Sequence, residues 1–267
     1  MNTQPIGLFD SGVGGLTIMR ELAAQLPNEH LIYLGDTARL PYGNKSPEAI
    51  LRFAIDNSAF LLEQNIKLLI ISCHTASSHA FHALKDSLPI PVLGVTEPGV
   101  QSLLRATRTK RVAVLGTAAT IASGIYQSLI KLQDPNTQIF AISCPLFVPL
   151  VEEGLQDHQA AKLIAEHYLS SLRSQNIDAV LLACTHYPLL RATIQEVLGP
   201  SIQLVEPASS CAIQAKQLLT SLNLLNEVNR SPKYRFFASD DPEKFQHLAK
   251  IFFPHPIPHV FLRKLPL

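Results

Sequence analysis

The sequence predicts an α/β protein built as two pseudo-symmetric lobes with mainly parallel sheets. Short apolar runs alternate with stretches of helical periodicity, which is how successive βαβ units read. The pattern then begins again after Arg111. In each half one apolar run ends in a cysteine followed by polar residues, at Cys73 (Leu-Leu-Ile-Ile-Ser-Cys-His-Thr) and at Cys184 (Val-Leu-Leu-Ala-Cys-Thr-His-Tyr-Pro). A run of this kind is a buried strand reaching the edge of its sheet, where ligands bind in open α/β folds.

The first strand is Ile6 to Phe9, followed by the turn Asp10-Ser11-Gly12-Val13-Gly14-Gly15. A helix comes next, because Leu16, Met19, Leu22, Ala23 and Leu26 recur three or four apart. Leu31 to Leu34 is a second strand, and Ser46-Pro47 opens a second helix with a capping hydroxyl and a proline at its first position. Leu68 to Ile71 leads to Cys73, and Val92 to Val95 is the fourth strand. Glu97-Pro98-Gly99 reads as the crossing between lobes. Val112 to Leu115 restarts the pattern, with a polar turn at Gly116-Thr117-Ala118 and a helix from Ile121. The run into Cys184 precedes a helix start marked by Pro188. Ile202 to Val205 is a further strand, and Ala212 to Leu222 a helix. Tyr234 to Ala238 and Val260 to Leu262 are expected to rejoin the first lobe, giving domains of 1–97 plus 208–267 and of 98–207.

Composition removes several function classes. Of the 267 residues 47% are apolar and 16% charged, so packed helices are expected and long disordered tails are not. The 22 Lys and Arg balance 21 Asp and Glu, and no basic cluster is present to draw nucleic acid or an anionic membrane. The nearest, Arg105 to Arg111, reads as a solvated turn. No apolar run approaches the roughly 18 residues of a membrane span. The opening Met-Asn-Thr-Gln-Pro runs into the first strand without the basic and apolar regions of a signal peptide, so a cytoplasmic location is expected. Four cysteines, Cys73, Cys144, Cys184 and Cys211, are too few and scattered for a disulfide scaffold.

The glycine-rich turn does not fit the dinucleotide fingerprint, whose third glycine would fall at Thr17. Two readings of it stand: an anion cradle at a helix N-terminus, or plain turn geometry with Asp10 and Ser11 as capping residues. Cys73, His74, His79 and His82, or Cys184 with His186, lack the paired spacing of a closed zinc site, and no metal is expected. His79 and His82 read as surface histidines. Cys144 and Cys211 read as structural. The symmetric placement of Cys73 and Cys184, each before a helix N-terminus, points to two reactive thiols whose thiolates that N-terminus would favour. Glu152-Glu153 is either surface charge or a carboxylate that orients His186.

Several motifs in order resemble the glutamate racemases, a branch of the aspartate/glutamate racemase family. They are Gly7-Leu8-Phe9-Asp10-Ser11-Gly12-Val13-Gly14-Gly15-Leu16, Tyr33-Leu34-Gly35-Asp36-Thr37-Ala38, Pro41-Tyr42-Gly43, the two cysteine motifs, Phe147 to Gly154, and Asp241-Pro242-Glu243-Lys244-Phe245. The resemblance implies two α/β lobes with the active site in the cleft between them. It implies cofactor-independent interconversion of L- and D-glutamate for peptidoglycan. One thiol takes the α-proton and the other returns one on the opposite face, each sulfur standing about 3 to 3.5 Å from the α-carbon region. By the same resemblance Cys73 is the base toward D-glutamate and Cys184 toward L-glutamate. Asp10 assists the first, and Glu152 and His186 the second. Ser11, Tyr42, Gly43, His74, Thr75, Thr117, Thr185 and His186, with Asp10, line the substrate. No cofactor is implied, and a homodimer is.

One departure stands beside Cys73. Family members usually carry Asn where this chain has His74, whose imidazole donates a hydrogen bond as an amide does but is bulkier and can protonate. It keeps a second racemase specificity, such as aspartate, as an alternative. A non-catalytic amino-acid-binding protein and a thiol hydrolase with His186 as its base are the others.

Overall fold

The computed structural model describes residues 3–228 and 231–266. Met1 and Asn2, the start of the stretch compared above with a signal peptide, lie outside them. The chain divides into two units, one formed by the residues up to Val95 and from Ala208 onward, the other by Thr96–Pro207.

In the first unit the order is β1 (Ile6–Asp10), α1 (Leu16–Gln25), β2 (Leu31–Gly35), α2 (Pro47–Glu63), β3 (Leu68–Ile71), α3 (His74–Ser87) and β4 (Val92–Gly94). Every residue of these four strands is buried, as expected of parallel strands covered by helices on both faces. α2 begins where its sequence places it: the Ser46 hydroxyl accepts from the Ala49 N–H, and Pro47 is the first helical residue.

The second unit runs α4 (Thr96–Ala106), β5 (Arg111–Gly116), α5 (Ala118–Ala122), α6 (Ile125–Gln133), β6 (Gln138–Ser143), α7 (Phe147–Glu152), α8 (Gln159–Leu169), β7 (Ala179–Ala183), α9 (Arg191–Leu198) and β8 (Gln203–Val205). α10 (Ala208–Ser221), β9 (Tyr234–Ala238), α11 (Pro242–Phe252) and β10 (Val260–Leu262) return to the first unit, where β9 pairs with β2.

All strand pairs are parallel. The first sheet has the order β10-β9-β2-β1-β3-β4 and the second β6-β5-β7-β8. Within the first, the segment β2-β1-β3-β4 repeats the order of the second strand for strand, so β3 and β7 are topological equivalents, as are β1 and β5. The core of the second unit is Val112, Val114, Leu181 and Ala183 of its central strands under Val100, Leu103, Tyr126 and Ile130 of α4 and α6.

Two expectations change. The crossing at Glu97-Pro98-Gly99 falls directly after the change of unit between Val95 and Thr96, and it is helical: these residues lie in the first turn of α4, where a proline lacks no hydrogen bond that a helix would make. Cys184 does not precede an α-helix directly, because residues Tyr187–Leu190 form a 3-10 turn and α9 starts only at Arg191. Among the described residues no helix is long and apolar enough to cross a membrane.

Candidate active site

In the first unit, Asp10 ends β1 and Cys73 follows β3, its neighbour in the sheet. Strands that run parallel and side by side bring their C-terminal ends to one edge, so two positions 63 residues apart become neighbours. Cys73 is the N-cap of α3: its Sγ accepts from the Ala76 N–H at 3.5 Å and stands 3.8 Å from the Ser11 Oγ. Asp10 is fully buried, and its Oδ1 accepts from the Gly15 N–H at 3.1 Å. Tyr33 closes the floor, donating its hydroxyl to the Gly12 carbonyl at 2.8 Å. The glycine-rich turn is thus tied to the site through both Asp10 and Tyr33.

The thiol does not behave as its helix position alone suggests. Burial, and next the Asp10 carboxylate, push Cys73 up to about 12, against the opposing pull of the Ala76 and Ser11 hydrogen bonds. The expected preference for thiolate is therefore reversed: Cys73 rests as a thiol. A helix N-terminus supplies only a partial charge, whereas Asp10 brings a whole one and both side chains are buried.

His74, the first residue of α3, and Thr75, the second, are both buried. Burial pushes His74 down to about 3, so its imidazole is neutral in the folded protein. A histidine lowered from about 6.5 contributes stability above that pH and loses it as the pH falls toward 3. His74→Asn is expected to flatten this acid limb. Between pH 6 and 4 the unfolding free energy of the native chain should fall more steeply than the variant's, by up to about 1.4 kcal/mol per pH unit. Urea melts across that range check it, and parallel curves would refute it.

The loop after β2 carries Tyr42 and Gly43 in a 3-10 turn, Tyr42–Asn44, that packs against α3. Tyr42 is 1% exposed, and its hydroxyl donates to Asp36 Oδ2 while accepting from Asn57 Nδ2 at 2.9 Å. Its phenol is turned into the protein. Gly43, beside it in the turn, is partly exposed.

In the second unit, Cys184 follows β7, the equivalent of β3, and is buried with Thr185 and His186. His186 Nε2 lies 3.0 Å from Glu152 Oε1, the last residue of α7. Glu152 therefore orients the imidazole rather than serving as loose surface charge, whereas the adjacent Glu153 is exposed. Thr117 stands after β5, the place Ser11 holds after β1, and caps α5 by accepting from the Thr120 N–H at 3.2 Å. Each unit thus gathers a cysteine, a carboxylate and hydroxyls at the C-terminal edge of its sheet, and in the second unit Cys144, directly after β6, stands at that edge as well. Asp10, Ser11, Tyr42, Gly43, Cys73, His74 and Thr75 belong to the first, and Thr117, Glu152, Cys184, Thr185 and His186 to the second.

Cys144 and Cys211 are buried, and burial pushes Cys211 up to about 12. His82 is exposed. Among the described residues no three His, Cys, Asp or Glu side chains gather closely enough to hold a metal ion. Asp36, Arg39, Asn57 and Ser239 form a buried polar cluster behind Tyr42 that sequence reasoning missed.

Comparison with known proteins gives one consistent result. The sequence model of the Asp/Glu/Hydantoin racemase family matches residues 6–215. A glutamate racemase of Geobacter metallireducens is 44% identical over 94% of this chain and 93% of its own length. One of Syntrophus aciditrophicus is 45% identical over 96% and 95%. The crystal structure of glutamate racemase from Francisella tularensis in complex with D-glutamate superposes with a TM-score of 0.93 at 37% identity, covering 99% of this chain and 98% of that one.

Proposed function

We propose that this chain, which belongs to the Asp/Glu/Hydantoin racemase family, interconverts L- and D-glutamate by proton transfer at the α-carbon between two cysteines. The observation that carries this reading is the pair of buried cysteines after β3 and β7, equivalent strands of two sheets with one topology. A binding protein has no need of two thiols so placed, and a thiol hydrolase would use one.

Cys73 removes the α-proton of D-glutamate and Cys184 protonates the opposite face; the reverse reaction exchanges the roles. Because Cys73 rests as a thiol beside Asp10, it must lose a proton before it can act. Asp10 is the acceptor at hand, and the ammonium group of an arriving amino acid favours the thiolate by its charge. In the second unit His186, oriented by Glu152, serves Cys184 in the same way. Ser11, Thr75, Thr117 and Thr185, the turn at Tyr42–Gly43 and the neutral His74 supply hydrogen bonds to the substrate's carboxylates. The enzyme works in the cytoplasm as a homodimer and supplies D-glutamate for peptidoglycan.

The test is racemisation of glutamate in deuterated water, followed by circular dichroism and mass spectrometry. At early times the newly formed enantiomer is expected to carry deuterium at the α-carbon while the recovered substrate remains protiated, the mark of two separate bases. Deuterium appearing equally in both would point to a single base. Aspartate assayed alongside separates the two specificities, since preferential turnover of aspartate would replace glutamate as the substrate. Binding of either amino acid without turnover would make the chain a binding protein.

A further inference from the structure

Behind the loop that carries Tyr42 and Gly43 lies a polar cluster centred on the buried Asp36, Arg39, Asn57 and Ser239, and it includes residues from the far end of the chain. Arg39, with a side chain 5% exposed, donates from Nε to Asp36 Oδ2 at 2.7 Å. Its Nη1 donates to Asp56 Oδ2 at 2.7 Å and to the Pro266 carbonyl at 2.9 Å, and its Nη2 to Asn57 Oδ1 at 3.2 Å. The same Asn57 donates to the Tyr42 hydroxyl, which donates to Asp36. Asp36 Oδ1 accepts from the Ser239 hydroxyl at 2.8 Å, and Ser239 Oγ accepts from the Ala38 N–H at 2.8 Å. Thr37 completes the tie by donating to the Asp240 carbonyl and accepting from the Asp240 N–H.

Each buried charge and hydroxyl in this set is matched in this arrangement of the loop. A buried network that is fully satisfied holds its members in register, and one that loses a partner leaves a desolvated polar group exposed to the full cost of burial. The loop from Thr37 to Asn44 is therefore held from behind, by α2 through Asp56 and Asn57 and by the returning C-terminal segment through Ser239, Asp240 and Pro266. Its other side packs on α3, the helix that Cys73 caps.

We propose that Arg39 and Ser239 are positioning residues of the racemase: through Asp36 and Tyr42 they set where the Tyr42–Gly43 turn meets the substrate's carboxylate. This rests on the assignment of that turn to substrate binding made above. The cluster meets Asp10 through the backbone, where the Asp36 N–H donates to the Asp10 carbonyl at 2.9 Å, while Arg39 and Ser239 bond the loop and its neighbours; loss of either side chain should therefore weaken substrate binding and leave proton transfer in place.

Ser239→Ala and Arg39→Lys test it. The first removes one hydroxyl; the second keeps the charge and loses the fork that reaches four acceptors. Both are expected to raise KM for glutamate about tenfold while kcat changes by less than about threefold, the pattern of lost binding. The double variant should raise KM by less than the product of the single effects, because the two act through one network. Melting temperatures accompany the kinetics. A lowered melting temperature with KM unmoved in Ser239→Ala would show the cluster to be structural only and overturn the proposal, whether or not Arg39→Lys folds. Native protein inactive on glutamate would instead overturn the racemase reading beneath it.

Discussion

Cys184→Ala is expected to lower glutamate racemisation in both directions by about 10³- to 10⁴-fold, the contribution of a positioned acid or base. Cys73→Ala should do the same. The more telling result is what each variant keeps. With Cys184 gone, Cys73 still faces D-glutamate, so D-glutamate should exchange its α-proton with deuterated water without inverting, while L-glutamate stays protiated. Cys73→Ala should show the mirror image. Proton NMR of the α-position reads both. Neither side chain makes a disulfide, and each is small, so a melting curve near the native one is expected to accompany the loss. Full racemase activity in either variant would sink the two-thiol mechanism.

Gly15→Ala is expected to unfold the first half of the site. A Cβ there would stand 2.4 Å from Ser72 Oγ, 2.7 Å from Asp10 Cβ and 2.8 Å from the Tyr33 hydroxyl. None of these can step aside cheaply. Ser72 donates to the Phe9 carbonyl at 2.6 Å, Tyr33 to the Gly12 carbonyl, and Asp10 is the fully buried end of β1. Overpacking of this kind costs about 3 kcal/mol at its upper range, or a fall of roughly 5 °C in melting temperature for a chain this long. The Gly15 N–H to Asp10 bond would be displaced with it, so activity should fall by more than the folded fraction alone accounts for. Calorimetry beside the racemase assay checks both. An unchanged melting temperature would show that the turn yields freely. The lack of a side chain at this position is what leaves room for Asp10, Ser72 and Tyr33 to close on the turn.

The strands that place the site were legible because burial on both faces makes them continuous apolar runs, as at Leu68–Ile71 and Ala179–Ala183. Cys73 and Cys184 stood out as the polar break in each run. The strand β6 left no such signature, since it lies at the edge of its sheet and its residues are only partly buried. At Pro98 the crossing between units was legible but the helix that begins there was not, because proline marks a break in mid-helix yet is welcome in a first turn. The orientation of Tyr42 was hidden for a different reason. Its hydroxyl is claimed by Asp36 and Asn57, and the network behind it is completed by Ser239 and Pro266, some 200 residues away in sequence. No local pattern carries a partner that distant. The pKa of Cys73 likewise depends on burial and on Asp10 in the neighbouring strand, which outweigh the helix its sequence announces.

The two cysteines sit in unlike local structures: Cys73 caps the fourteen-residue α3, whereas Cys184 precedes a four-residue 3-10 turn. Enantiomers have equal free energy in water, so the equilibrium constant of their interconversion is one. The ratio kcat/KM must then be the same for L- and D-glutamate, however different the two thiols are. What the unlike settings can do is divide that ratio differently, so that one enantiomer is held tightly and turned over slowly while the other is held loosely and turned over fast. Direction in the cell is then set by which enantiomer is consumed, and the asymmetry of the protein determines only the concentration at which each direction saturates and the limiting rate it reaches there.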